Sequence, residues 1–181
     1  PQHDGCLAAC YPTSAMKADA VLLLSFGGPE APYDVMPFLR RVVAGRGVPD
    51  ERLREVEKHY QAFGGKSPIN DANRALQRAL KAELDRRGRS LPVYWGNRFW
   101  HPLLDDTAAR MSADGVSNAI VFATSAFGSY SGCRAYQQDL DGAPGPTWHK
   151  LMPFCEHPGF LEAVTAQASQ ARGELGDEAR L

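Results

Sequence analysis

The chain has 181 residues, 44% of them hydrophobic and 23% charged, with a formal net charge of −1. That is enough apolar surface for one α/β domain of ordinary size. The charge balance argues against a nucleic-acid-binding surface, which announces itself as a basic excess, and no apolar run approaches the length of a membrane span.

From the amino end, Pro1 to Ala15 has no periodicity and does not begin with methionine, and Met16 is the candidate natural start. Residues 1–16 therefore read as a disordered or non-native extension without function. Asp19 to Phe26 is an apolar run that stops at Gly27-Gly28-Pro29, the pattern of a buried strand leaving a sheet at a tight loop. No small-residue cleavage pattern follows it, so it is not read as a signal sequence and the expected location is cytoplasmic. Val35, Phe38, Leu39, Val42 and Val43 mark an amphipathic helix ended near Gly45. Asp50 is an N-cap candidate for a second helix, in which Leu53, Val56, Tyr60 and Phe63 recur at helical spacing.

Gly64-Gly65-Lys66-Ser67 then offers the tail of a phosphate-loop signature. That loop needs a glycine five places before its Gly-Lys and must connect a strand to a helix. Tyr60 occupies the place, and a helix leads in, so a nucleotide cradle is the remote reading. Ser67 reads instead as the cap of a third helix with Pro68 at its first position, where a missing N–H costs nothing. This helix runs to about Arg87, with Ile69, Leu76, Leu80 and Leu84 on one face and Gly88 closing it.

Leu91 to Trp95 reads as a second strand, Gly96 to Pro102 as a loop, Leu103 to Asp114 as a helix, and Asn118 to Thr124 as a third strand. Strands separated by helices imply crossovers and a parallel sheet, an α/β fold. Ligands of such sheets sit beyond the carboxyl ends of the strands. Three segments occupy that edge: Ser25 to Pro29, Gly96 to Pro102, and Ser125 to Tyr136. They are rich in aromatics, glycine and hydroxyls and carry arginine, which suits a flat apolar ligand with anionic edges. Cys6, Cys10, Cys133 and Cys155 form no Cys-x-x-Cys pair, so neither a disulfide framework nor a zinc site is expected.

Five blocks occur together in order: Leu24-Ser25-Phe26-Gly27-Gly28-Pro29-Glu30, Phe63 to Asn70, Tyr94-Trp95-Gly96-Asn97-Arg98, Ala123-Thr124-Ser125-Ala126, and Tyr130 to Tyr136. In this order and spacing the chain resembles the ferrochelatases, closest to the actinobacterial type that acts on coproporphyrin III, from about Lys17 onward. The resemblance implies a Rossmann-like chelatase domain, with a parallel sheet flanked by helices, as the first of two. It also implies insertion of ferrous iron, as substrate, into a porphyrin in heme biosynthesis, with heme-pathway enzymes as potential partners. Ser67 then aligns with a position hydrogen-bonding near a propionate, Tyr136 lies beside the macrocycle, and Arg98 borders the cleft. Phe26 stands where some members carry an iron-ligating tyrosine, so it offers a ring to stack rather than a ligand. Arg40, Arg41 and Arg46 are candidates to pair with propionates or else solvated helix-end charges. His101 reads as a structural or exposed residue ahead of a metal carrier, and His157 as a turn residue ahead of a substitute base. Some members bind a [2Fe–2S] cluster, but neither Cys133 nor Cys155 is assigned to one.

By the same resemblance residues 17–150 form the N-terminal chelatase domain and residues 151–181 a linker and crossing helix, with Leu161, Val164 and Ala168 on its apolar face. The catalytic histidine and its facing glutamate are expected beyond Leu181, so this polypeptide alone is expected to be inactive. The other readings are a non-catalytic tetrapyrrole-binding protein, a chelatase for another divalent metal, and, more remotely, a nucleotide-binding enzyme.

Overall fold

The structure, a computed structural model, describes residues 17–129 and 134–175. Cys6, Cys10, Cys133 and the block Tyr130 to Gly132 lie outside the described residues. Four parallel strands, β1 (Ala20–Ser25), β2 (Val93–Asn97), β3 (Asn118–Ala123) and β4 (Thr147–Lys150), form one sheet in the order β2-β1-β3-β4. The centre falls to β1, which is buried along its whole length, as its unbroken Ala-Val-Leu-Leu-Leu run requires of a strand covered on both faces.

One face of β1 anchors the main core. Ala20, Leu22 and Leu24 pack with Ala119 and Val121 of β3 against Leu104 and Met111 of α4 (Leu104–Ala113) and Tyr136 and Leu140 of α5 (Tyr136–Gly142). A second cluster, Val35, Phe38, Leu39 and Leu53, joins α1 (Val35–Val42) to α2 (Asp50–Ala62) and takes in Phe99 and Trp100 from the loop after β2.

The third helix, α3 (Ile69–Arg86), keeps Ile69, Leu80 and Leu84 of its expected apolar face half-buried, but its most buried positions are polar. Its buried residues are Asn70 and Asn73, while Leu76 of the leucine stripe is 39% exposed. A polar side chain ties the helix to the sheet, as Gln77 Nε2 donates to the Val93 carbonyl at 2.7 Å. Three ends also differ. Asp50 is the first residue of α2, with Pro49 at the capping position. The first helical bond of α3 runs from Ala72 N–H to the Pro68 carbonyl, which puts the cap at Pro68. Phe63 is not a core residue but stands 86% exposed past the end of α2.

Neither α5 nor β4 appears among the expected elements, and Tyr136 opens a helix rather than ending a loop. Beyond β4, Leu151 N–H donates to the Val121 carbonyl, Cys155 N–H to that of Ala126, and the Phe154 ring stacks on Phe122 at 5.0 Å. The last helix, α6 (Pro158–Leu175), buries no residue, and Leu161 and Val164 of its apolar stripe are half exposed.

Candidate functional site

In a 2-1-3-4 parallel order the connections from β1 diverge, and the crevice lies outside the carboxyl ends of β1 and its neighbours. Phe26, the residue after β1, stands there with 36% of its surface open. Its ring lies 4.7 Å from Phe99 and 6.2 Å edge-on from Phe38, which in turn contacts Trp100 and Tyr60 at 6.1 and 6.2 Å. Phe26 is thus the outer ring of an aromatic wall. The wall is tied to the sheet by backbone bonds from Arg98 N–H to the Ser25 carbonyl and from Phe99 N–H to the Phe26 carbonyl.

Ser67 reaches the same edge from the start of α3. Its N–H donates to the Pro29 carbonyl at 2.8 Å, and its hydroxyl accepts a long bond, 3.4 Å, from the Ile69 N–H. The serine sits one residue ahead of the formal cap, beside first-turn N–H groups that have no partner within the helix and favour an anion. Beside it lies a shallow, mainly apolar hollow of about 260 Å³, lined by His59, Tyr60, Phe63, Lys66, Ser67 and Pro68. Burial raises the Tyr60 phenol above its ordinary range. Lys66 pairs with Asp71 at 2.5 Å, and that hydrogen bond, with help from Arg74, lowers the Asp71 carboxyl.

Arg98 and Tyr136 form a separate group. The Arg98 side chain is 10% exposed and ion-paired with Asp139, and its guanidinium lies 4.8 Å from the Phe99 ring and 4.9 Å from the Tyr136 ring. Tyr136 is buried, which raises its phenol pKa; neighbouring Arg98 and a hydrogen bond with Thr124 work in the opposite direction. The outer side of Arg98 opens into a polar niche of about 190 Å³ lined also by Arg41, Asp105 and Asp139.

The structure therefore gathers Phe26 with Arg98 and Tyr136 through Phe99, and brings Ser67 against the Gly28-Pro29 turn two residues after Phe26. Arg40 is not drawn in, since its guanidinium pairs with Asp50 at 2.8 Å in an exposed bridge between α1 and α2. Arg46 is exposed on the loop after α1, and exposed His101 packs its ring against Trp100 at 5.6 Å. Sequence reasoning missed His59 and Phe63 as lining residues. The available signal was that Phe63 abuts Gly64-Gly65, where a helix has to end. Among the described residues no group of three or more His, Cys, Asp or Glu could hold a metal ion, and no helix is long and apolar enough to cross a membrane.

The family model described as Ferrochelatase matches residues 18–181. A protein named coproporphyrin III ferrochelatase from Mycolicibacterium smegmatis is 54% identical over 176 residues, which is 92% of this chain and 52% of that protein. Proteins of the same name from Nocardia farcinica and Streptomyces coelicolor are 49% and 50% identical, each over 92% of this chain and over 50% and 47% of their own lengths. The chain thus spans about half the length of these curated relatives. With the match running from the first strand to the last helix, the chain belongs to the ferrochelatase family.

Proposed function

We propose that this chain supplies one porphyrin-binding wall of a coproporphyrin III ferrochelatase of heme biosynthesis, in which ferrous iron is a substrate. The single observation that carries the reading is the pairing of a half-open aromatic wall ending at Phe26 with the helix start at Ser67 on one sheet edge. A macrocycle has a flat apolar face for the first and carboxylate edges for the second. Ser67 and the first-turn N–H groups of α3 bind a propionate, Phe26 stacks on the ring, and Tyr136 and Arg98 hold the rim. Arg98 acts by shaping the rim, because Asp139 already takes its charge. Arg40 lies further out and pairs with a propionate only by exchanging Asp50 for it.

Insertion releases two pyrrole protons for each iron bound, and a positioned base must receive them. We assign that base to no residue of this chain, nor any ligand of a [2Fe–2S] cluster, since half-buried Cys155 is the one cysteine among the described residues. The cytoplasm is the proposed setting, with enzymes that supply the porphyrin and take up the metallated product as neighbours.

The test is a chimera in which residues 18–181 of this chain replace the matching span of the Mycolicibacterium smegmatis relative. The chimera inserts ferrous iron into coproporphyrin III, followed by loss of free-porphyrin fluorescence, while the 181-residue chain alone stays at background. A folded chimera without insertion contradicts the reading, and turnover by the chain alone contradicts the placement of the base.

A further inference from the structure

One buried amide touches the loops on both sides of the aromatic wall. Asn70, in the first turn of α3, has no exposed surface. Its Nδ2 donates to the Gly28 carbonyl at 3.1 Å and to Glu30 Oε1 at 3.0 Å, and reaches the His101 carbonyl at 3.4 Å. Gly28 and Glu30 belong to the loop after β1, and His101 to the loop after β2. Because all three are acceptors, the amide nitrogen must face them. Two protons serve three acceptors, so one bond is shared, in keeping with the longer His101 contact.

The orientation is enforced from behind. The indole of Trp95 can only donate, and its Nε1 does so to Asn97 Oδ1 at 3.0 Å. That turns the NH2 group of Asn97, itself fully buried, toward the His101 carbonyl at 3.1 Å and Asn70 Oδ1 at 3.5 Å. The relay runs one way, from Trp95 through Asn97 and Asn70 to the turn after β1. Arg74 holds the far end by pairing with Glu30 while lying over the Trp95 ring at 5.2 Å.

Ser67 rests directly on this clasp. A β-carbon on Gly28 would lie 2.7 Å from Ser67 Cβ and 2.8 Å from its hydroxyl, so the two residues are already in contact. The place of Ser67 is set by Gly28 and Pro29, and the place of Gly28 by Asn70. We propose that Asn70 is a positioning residue for porphyrin recognition, touching no ligand but fixing Ser67 and the Phe26 loop at the spacing a macrocycle needs. This role rests on the porphyrin reading above.

The experiment uses the chimera and coproporphyrin III. Asn70→Asp keeps the shape but turns an acceptor toward three acceptors, and Asn70→Ala removes the group. Gln77→Ala is the control, because it deletes another bond from α3 to β2, at the amino end of the strand and away from the edge. Both Asn70 variants raise the porphyrin Kd roughly tenfold or more, the scale on which supporting partners tune a site, and raise KM more than they lower kcat. Gln77→Ala lowers Tm yet keeps the parent Kd. Asn70→Ser, a smaller donor, takes their place where they do not fold, with the same expected result. A folded Asn70 variant with the parent's Kd overturns the role of Asn70 alone, whereas a parent chimera that binds no coproporphyrin overturns the porphyrin reading together with it.

Discussion

Two adjacent glycines show how finely the helix-to-helix turn before Ser67 is built. Gly64 and Gly65 both have left-handed backbones, with φ of 80° and 70°, but only Gly65 presses on the chain, where a β-carbon would meet Pro32 Cα at 2.5 Å. Gly64→Ala should therefore cost only the conformational penalty, about 1 kcal/mol. Gly65→Ala adds a backbone clash and should cost about 3 kcal/mol in all. Urea unfolding of the two variants checks this, and equal midpoints would contradict the packing of the turn on Pro32. The same scale shows where a sequence falls silent. Ser67 was legible as a residue at a helix start because Ser-Pro punctuation is local, although the cap itself falls on Pro68. The partnership of Arg98 with Asp139, 41 residues away, leaves no local trace, so Arg98 could be expected at the edge but not seen to be neutralised there.

Helix α3 carries the main difference between pattern and packing. Its leucines repeat at helical spacing, yet the most buried positions are Asn70 and Asn73; Asn70 is there because the turns after β1 and β2 offer carbonyls that need a donor, whereas the buried Asn73 amide nitrogen has no hydrogen-bond partner among the described residues. Hydrophobic periodicity cannot reveal an amide stripe of that kind. The outer face of α3 is stitched by exposed ion pairs. Hydrogen bonds from Arg86 and Arg87 hold the Glu83 carboxyl down to about 2, Lys66 lowers Asp71, and Lys81 lowers Asp85. A folded pKa below the unfolded one contributes stability above the ordinary carboxylate range and loses it as pH falls through the folded value. The urea midpoint should thus be flat near neutral pH and fall from about pH 4.5 toward the Glu83 value of about 2. Because these side chains are exposed, the acid loss should shrink in added salt. Midpoints measured across that range at two salt concentrations decide it, and an acid loss indifferent to salt would contradict the account.

For the molecule as a whole, three strands and the helices between them were legible because long apolar or periodic runs leave few alternatives. The fourth strand escaped notice because Thr147-Trp148-His149-Lys150 is four residues at the sheet edge with little apolar pattern, and α5 because it has only seven residues. Those two elements shape the far side of the edge, since α5 begins with Tyr136 and carries Asp139. The edge they complete is proposed as a porphyrin wall, with Phe26 and Ser67 as its contact points. Fluorescence titration of the chimera with coproporphyrin III, beside its Ser67→Ala and Phe26→Ala variants, tests it most directly. Saturable binding is expected, weakened by each substitution roughly three- to tenfold, as loss of one hydrogen bond or one stacked ring would do; unchanged affinity in both variants would rule the porphyrin wall out.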